Sequence, residues 1–308
     1  AMKSTAFSLA SDYFQIADSL LPRDEREADL HAWFSMSYRL GEALFLSGNL
    51  HKSEEICNKI QALPVEALDR AKIHNLRARV FEFQGRIPDA IEAIREGLFV
   101  LDIVLPQEDD EIGRRIGESI MRLMKTRGSG EIETLADLPI MENPRTVQAM
   151  ELLFNVIPPA LQFRPSLYVL AALMMFELTL DYGVTAYSCK SLIDVGITQS
   201  PTLNDYAMGY HLGKTAFRLL ERLNAEWMKS AVYFGFTFSS YRNAHFQEAI
   251  ASFDKSISTG METGDIQHTA YARAHKIHLY MQIGLNLSEC EAETQRTINF
   301  LNEVNAGM

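Results

Sequence analysis

Apolar residues recur three and four positions apart along nearly the whole chain, and the 17 glycines and 10 prolines of its 308 residues fall at intervals between those runs. That spacing puts the apolar side chains on one face of successive helices. Helices are predicted near residues 3–21, 26–46, 52–63, 67–83, 88–101 and 111–126, and again near 144–154, 166–180, 185–195, 206–223, 225–241, 247–262, 266–283 and 288–304. No segment alternates in the manner of a strand, so the chain is predicted to be all-α.

The helices repeat a design. Leu40-Gly41-Glu42-Ala43-Leu44-Phe45-Leu46-Ser47-Gly48-Asn49, followed by Lys52-Ser53-Glu54-Glu55, forms one unit. About 37 residues later Arg77-Ala78-Arg79-Val80-Phe81-Glu82-Phe83-Gln84-Gly85-Arg86, followed by Pro88-Asp89-Ala90-Ile91, forms another. Each has a small residue in its first helix (Gly41, Ala78), a large apolar residue one turn on (Leu44, Phe81), a glycine at the helix end (Gly48, Gly85) and a small residue early in the second helix (Ser53, Ala90). Antiparallel helices on a tight turn approach closely only where one has almost no side chain. Glycine permits the left-handed cap, and Pro88 at a helix start costs no hydrogen bond. Tyr241 to Ile250 and Asn204 to Tyr210 carry related patterns.

These units resemble tetratricopeptide repeats. The order Ala6-Phe7-Ser8-Leu9-Ala10, Tyr13-Phe14, Leu20-Leu21-Pro22, Gly48-Asn49, Leu138-Pro139-Ile140-Met141-Glu142-Asn143-Pro144, Gly209-Tyr210-His211-Leu212-Gly213, Thr263-Gly264-Asp265 and Ala270-Tyr271-Ala272 is similar to the long helical segment of large bacterial and fungal signalling proteins. There the segment lies between an AAA-type or STAND-type ATPase, itself behind a serine/threonine kinase domain, and a GAF plus histidine-kinase output. The resemblance implies a right-handed α-solenoid of antiparallel helix pairs over residues 1–308, with N-terminal repeats at 1–126, an irregular connector at 127–143 and C-terminal repeats at 144–308. It implies no catalytic residue in this chain; any kinase or ATPase activity would reside in other domains of the same polypeptide. The sequence departs from that pattern in an expected proline-broken turn, Thr198-Gln199-Ser200-Pro201-Thr202.

Composition narrows the partners. With 29 Lys and Arg against 40 Asp and Glu, the net charge of -11 repels phosphate backbones and anionic head groups, which argues against nucleic acid and membrane. The most hydrophobic run, about 14 residues from Leu167 to Leu180, is too short to span a bilayer and is expected to be a buried helix. Its Met174-Met175-Phe176 is read as core. Cys57, Cys189 and Cys290 are odd in number and far apart, as expected of reduced thiols in a cytoplasmic protein. The start, Ala1-Met2-Lys3, has no signal-peptide core, and its alanine ahead of a methionine reads as a cloning remnant, so the chain is expected to be a fragment.

Catalytic signals are weak. Gly209-Tyr210-His211-Leu212-Gly213-Lys214-Thr215 ends like a phosphate loop, but one residue too few separates its glycines and it lies inside a helical pattern; two helix-packing glycines are expected. His268, His275 and His278 share a helix without the spacing of a zinc motif. The acidic run Glu108 to Glu111 precedes a helix, where carboxylates favour the positive end of the dipole. No metal or cofactor is expected.

In the tetratricopeptide register, first helices line a concave groove. That places Tyr38, Glu42 and Phe45 there from one unit and Asn75, Arg79 and Glu82 from the next. The C-terminal units supply Phe234, Phe238, Tyr241 and Arg242, then Tyr271 and His278. Aromatic and arginine side chains are frequent hot spots, so a protein segment or peptide is the expected guest of a regulatory scaffold. The same aromatics fit a groove filled by the chain's own helices equally well. Two alternatives stay open: a helical-repeat regulator that senses a peptide, and an all-α enzyme with an unrecognised site.

Overall fold

The computed structural model describes residues 7–20, 29–128, 131–240 and 246–306. Among them the chain is all-helical: α1 Phe7–Leu20, α2 Leu30–Leu46, α3 Leu50–Gln61, α4 Ala67–Phe83, α5 Ile87–Phe99, α6 Asp109–Gly128, α7 Pro144–Phe163, α8 Pro165–Tyr182, α9 Ala186–Thr202, α10 Tyr206–Leu223, α11 Lys229–Ser240, α12 Phe246–Thr263, α13 Ile266–Gln282 and α14 Leu287–Ala306. Short 3-10 helices lie at Glu131–Asp137 and Glu226–Met228. The chain divides into two compact units, one of residues 1–107 with 143–168 and one of 108–142 with 169–308.

In the first unit the repeat design is visible in atoms. Gly48 (φ 80°) and Gly85 (φ 74°) hold the left-handed conformation that ends α2 and α4. Past each, an amide reaches back to the helix, Asn49 N–H to the Leu44 carbonyl at 2.8 Å and Arg86 N–H to Phe81 at 2.9 Å. Gly41 is the close-approach position: a Cβ there would stand 3.0 Å from a Leu76 methyl and 3.4 Å from Ile56. The Ser53 hydroxyl donates to the Gly41 carbonyl at 2.8 Å, so the small residues of the two helices meet. Ala78 and Ala90 are also buried. Phe34, Phe45, Cys57, Ile60, Ile73, Leu76 and Val80 form the core between α2, α3 and α4.

Two helices run further than predicted. The predicted stop near residue 154 is corrected to Phe163, with Pro158 and Pro159 inside α7. Each proline removes a backbone bond, but Val156, Ile157, Pro159 and Ala160 are buried and the helix continues past the interruption. The expected broken turn at 198–202 is likewise the last part of α9. Gln199 and Ser200 are buried there, and the hydroxyls of Thr198 and Thr202 bond back to carbonyls one turn earlier, at 2.8 and 2.9 Å.

In the second unit the segment before α7 is clamped onto α10. Arg218 reaches the Glu133 carbonyl and Asp137, while Arg222 reaches the carbonyls of Ala136 and Leu138. An isolated parallel bridge joins Ile140 to Val184. At the neighbouring Gly183 (φ 96°) a Cβ would lie 2.1 Å from the Pro139 oxygen, so the bridge needs a glycine. Met174, Met175 and Phe176 are buried in α8, and no described helix is long and apolar enough to cross a membrane.

Candidate functional site

In the first unit the polar residues of α2, α4 and α7 converge on one face. The Tyr38 hydroxyl donates to the Glu42 carboxylate, with Arg79 of α4 and Glu151 of α7 close enough to act on both. Asn75 is 1% exposed; its Nδ2 donates to Glu151 at 2.9 Å and its Oδ1 accepts from Asn155 at 2.7 Å. Gln148 donates a second bond to Glu151 at 3.3 Å. The Arg79 guanidinium lies 4.5 Å from the centre of the Phe45 ring, which is itself buried against Phe83.

Burial sets the titration of this face. It raises Tyr38 well above the usual phenol range, helped by the Glu42 and Glu151 charges. Glu42 is raised by burial, against the pull of Arg79. Glu82 is pushed up to about 7 for the same reason, again with Arg79 opposing. Of the six positions expected here, Tyr38, Glu42, Arg79 and Glu82 are partly exposed, whereas Phe45 and Asn75 are buried beneath them.

In the second unit an aromatic face is built on α11 and α13. The Phe234 ring lies 5.1 Å from Phe238, 5.8 Å from Tyr271, 5.8 Å from His268 and 5.6 Å from His275. His278 joins through His275, at 5.9 Å. Burial, then the neighbouring His278, depresses His275. His268 is held by Asp265 at 2.9 Å. Phe234 and Phe238 pack on Ala249, Phe253, Ala272 and Leu279, so their lower edges are core and their upper edges surface. Tyr241 and Arg242 lie outside the described residues.

The phosphate-loop look-alike has a packing role at each position. A Cβ on Gly209 would lie 2.6 Å from the Ser239 carbonyl oxygen, and one on Gly213 would lie 2.3 Å from the Phe236 ring. Lys214 sits over the rings of Tyr210 and Phe236, and the Thr215 hydroxyl contacts the Ile132 carbonyl at 3.3 Å. Asp109, Asp110 and Glu111 occupy the first turn of α6, where the helix dipole favours them. Cys57, Cys189 and Cys290 are buried free thiols, and desolvation pushes Cys57 and Cys189 up to about 12.

Comparison with known proteins gives a distant sequence relative. The chain is 25% identical, over a 340-residue alignment covering 98% of it, to hybrid signal transduction histidine kinase G of Dictyostelium discoideum. It spans 10% of that protein's length. No family model matches. Among solved structures, BtubC (BKLC) from P. vanneervenii superposes with a TM-score of 0.39 at 14% identity, covering 97% of this chain and 91% of that one, a likeness too slight to carry an argument.

The match to the Dictyostelium protein runs through both units, so both faces lie within it. Gln148, Glu151 and Asn155 complete the first face without a local signal: Asn155 lies past the predicted helix end near residue 154, and Asn75, which bonds Glu151 and Asn155, is 76 and 80 positions away from them. His275 was noted only for its place beside other histidines. Its ring contacts with Phe234 and Phe238 come from a separate helix and leave no local signal.

Proposed function

We propose that this chain is a non-catalytic interaction scaffold, a cytoplasmic regulatory arm of a signal-transduction protein that holds a protein segment or peptide. Its helix pairs continue as a right-handed tetratricopeptide-like solenoid, and the first helix of each pair lines the concave side. The observation that carries this reading is the convergence of side chains from separate helices: Tyr38, Glu42, Arg79, Glu82 and Glu151 from α2, α4 and α7, and Phe234, Phe238, Tyr271 and His275 from α11 and α13. Both faces combine a buried base with a partly exposed rim, the arrangement of interface hot spots.

The relative supports a place in a larger signalling polypeptide, since this chain aligns with a tenth of a hybrid histidine kinase. Kinase or ATPase chemistry belongs, on this reading, to other domains of such a polypeptide. The net charge of -11 favours a protein guest over nucleic acid or an anionic bilayer. Affinity capture from the native cell with wild type and with Arg79→Glu tests the proposal. A partner held by wild type and lost by the variant, with unchanged helical content, supports it; the same partners on both, or nucleotide turnover by the purified chain that Lys214→Ala abolishes, overturns it.

A further inference from the structure

In the first unit, α1 turns an apolar stripe to solvent. Leu9, Tyr13, Ile16 and Leu20 are 48%, 61%, 55% and 75% exposed. They are spaced four, three and four residues apart, and each such step along a helix returns to within about 60° of the same side. All four therefore share one line along the helix.

The helix is fixed with that line outward. Ala10 and Ser11, on another side, are buried where α1 packs on α2. The Asp18 carboxylate accepts from Trp33 Nε1 of α2 at 3.2 Å and pairs with Lys59 of α3 at 3.2 Å. Rolling α1 to hide the stripe would break both contacts.

Spacing and charge identify the occupant. A stripe that alternates steps of three and four is the seam along which two helices interlock, each apolar side chain entering a hole in the facing helix. Residues 7–20 contain Asp12 and Asp18 and no Lys, Arg or His. Asp18 is engaged within the unit, which leaves the exposed Asp12 as the charge that α1 offers outward. It stands beside the seam, at the flanking position where interlocked helices carry the charges that choose a partner. A second copy of α1 brings no basic residue to answer Asp12, and two chains of net charge -11 repel. The same charge disfavours anionic head groups.

We propose that the outer stripe of α1 docks an amphipathic α-helix of a partner protein, whose apolar seam interlocks with Leu9, Tyr13, Ile16 and Leu20 and whose flanking lysine or arginine faces Asp12. α1 belongs to neither of the two faces described above, so this surface stands or falls apart from the scaffold reading.

The test is fluorescence anisotropy of two labelled synthetic helices titrated with the full chain. Both have leucine along a seam of alternating three- and four-residue steps; one has lysine and the other glutamate at the flanking positions. The expected result is saturable binding of the lysine helix and weaker binding of the glutamate helix. Ile16→Asp, at a position 55% exposed where folding is not at stake, abolishes binding of the lysine helix. It adds a negative charge, so simple attraction of a basic peptide to an acidic protein would grow instead. Asp12→Asn narrows the preference for lysine by about two- to fivefold, the worth of one exposed ion pair. No saturable binding to wild type, binding of the lysine helix that survives Ile16→Asp, or a preference that Asp12→Asn leaves unchanged each overturns the proposal. So does a dimer in sedimentation equilibrium that Ile16→Asp dissociates, which gives the stripe to a second copy, or adsorption to phosphatidylcholine vesicles that the same variant abolishes, which gives it to a lipid surface.

Discussion

Asn75 donates its side-chain amide to Glu151 at 2.9 Å, joining α4 to α7 across 76 positions of the chain. The same side chain accepts from Asn155, so one buried amide satisfies two groups on the neighbouring helix. This is a network in which each member depends on the others.

Asn75→Leu keeps the volume and removes both bonds. Glu151 retains only Gln148, and the Asn155 amide loses its acceptor. The variant is expected to be less stable by about 1–2 kcal/mol, the cost of leaving two partly buried polar groups short of a partner. Urea unfolding of the full chain measures this; a loss below about 0.5 kcal/mol would show that the network is loose or hydrated.

Two glycine-to-alanine changes should act with opposite sign. At Gly209 the new methyl group meets the Ser239 carbonyl oxygen at 2.6 Å, a backbone atom that cannot swing aside, and a destabilisation of about 1–3 kcal/mol is expected. At Gly113, in α6, nothing lies within 4 Å of the added Cβ. There alanine should stabilise by about 0.5–1 kcal/mol through helix propensity. Thermal melts of the two variants decide the matter, and equal shifts would contradict the packing assigned to Gly209.

Glu82 makes stability depend on pH. Burial raises its carboxyl from the ordinary 4.5 to about 7, so between those values the folded state binds more protons than the unfolded one. Stability attributable to this group is present at low pH and declines as the pH rises from 4.5 to about 7. Glu82→Gln removes that dependence and should raise Tm more at pH 8 than at pH 5. An equal change at both pH values would mean that the carboxyl is solvated.

What could be read from the sequence was what local chemistry enforces. Gly48 and Gly85 announce helix ends because few other residues tolerate a positive φ, and Gly41, Ala78 and Ala90 announce close packing because larger side chains do not fit. Helix register groups Tyr38 and Glu42 with Arg79, and Phe234 with Tyr271, and the structure brings the members of each group close together. Pro201 misled, since a proline's local cost is visible in sequence and the burial that outweighs it is not. Glu151 and Asn155 were hidden for a related reason. Their importance comes from what stands opposite, and that is fixed only when distant helices meet.

On the proposed function, α2, α4 and α7, and α11 and α13, present their shared faces to a protein partner. Hydrogen–deuterium exchange of the chain with and without a captured partner tests it most directly. New protection is expected in α2, α4 and α7 or in α11 and α13, with α3, α5 and α12 nearly unchanged. Protection confined to α3, α5 and α12 would contradict it.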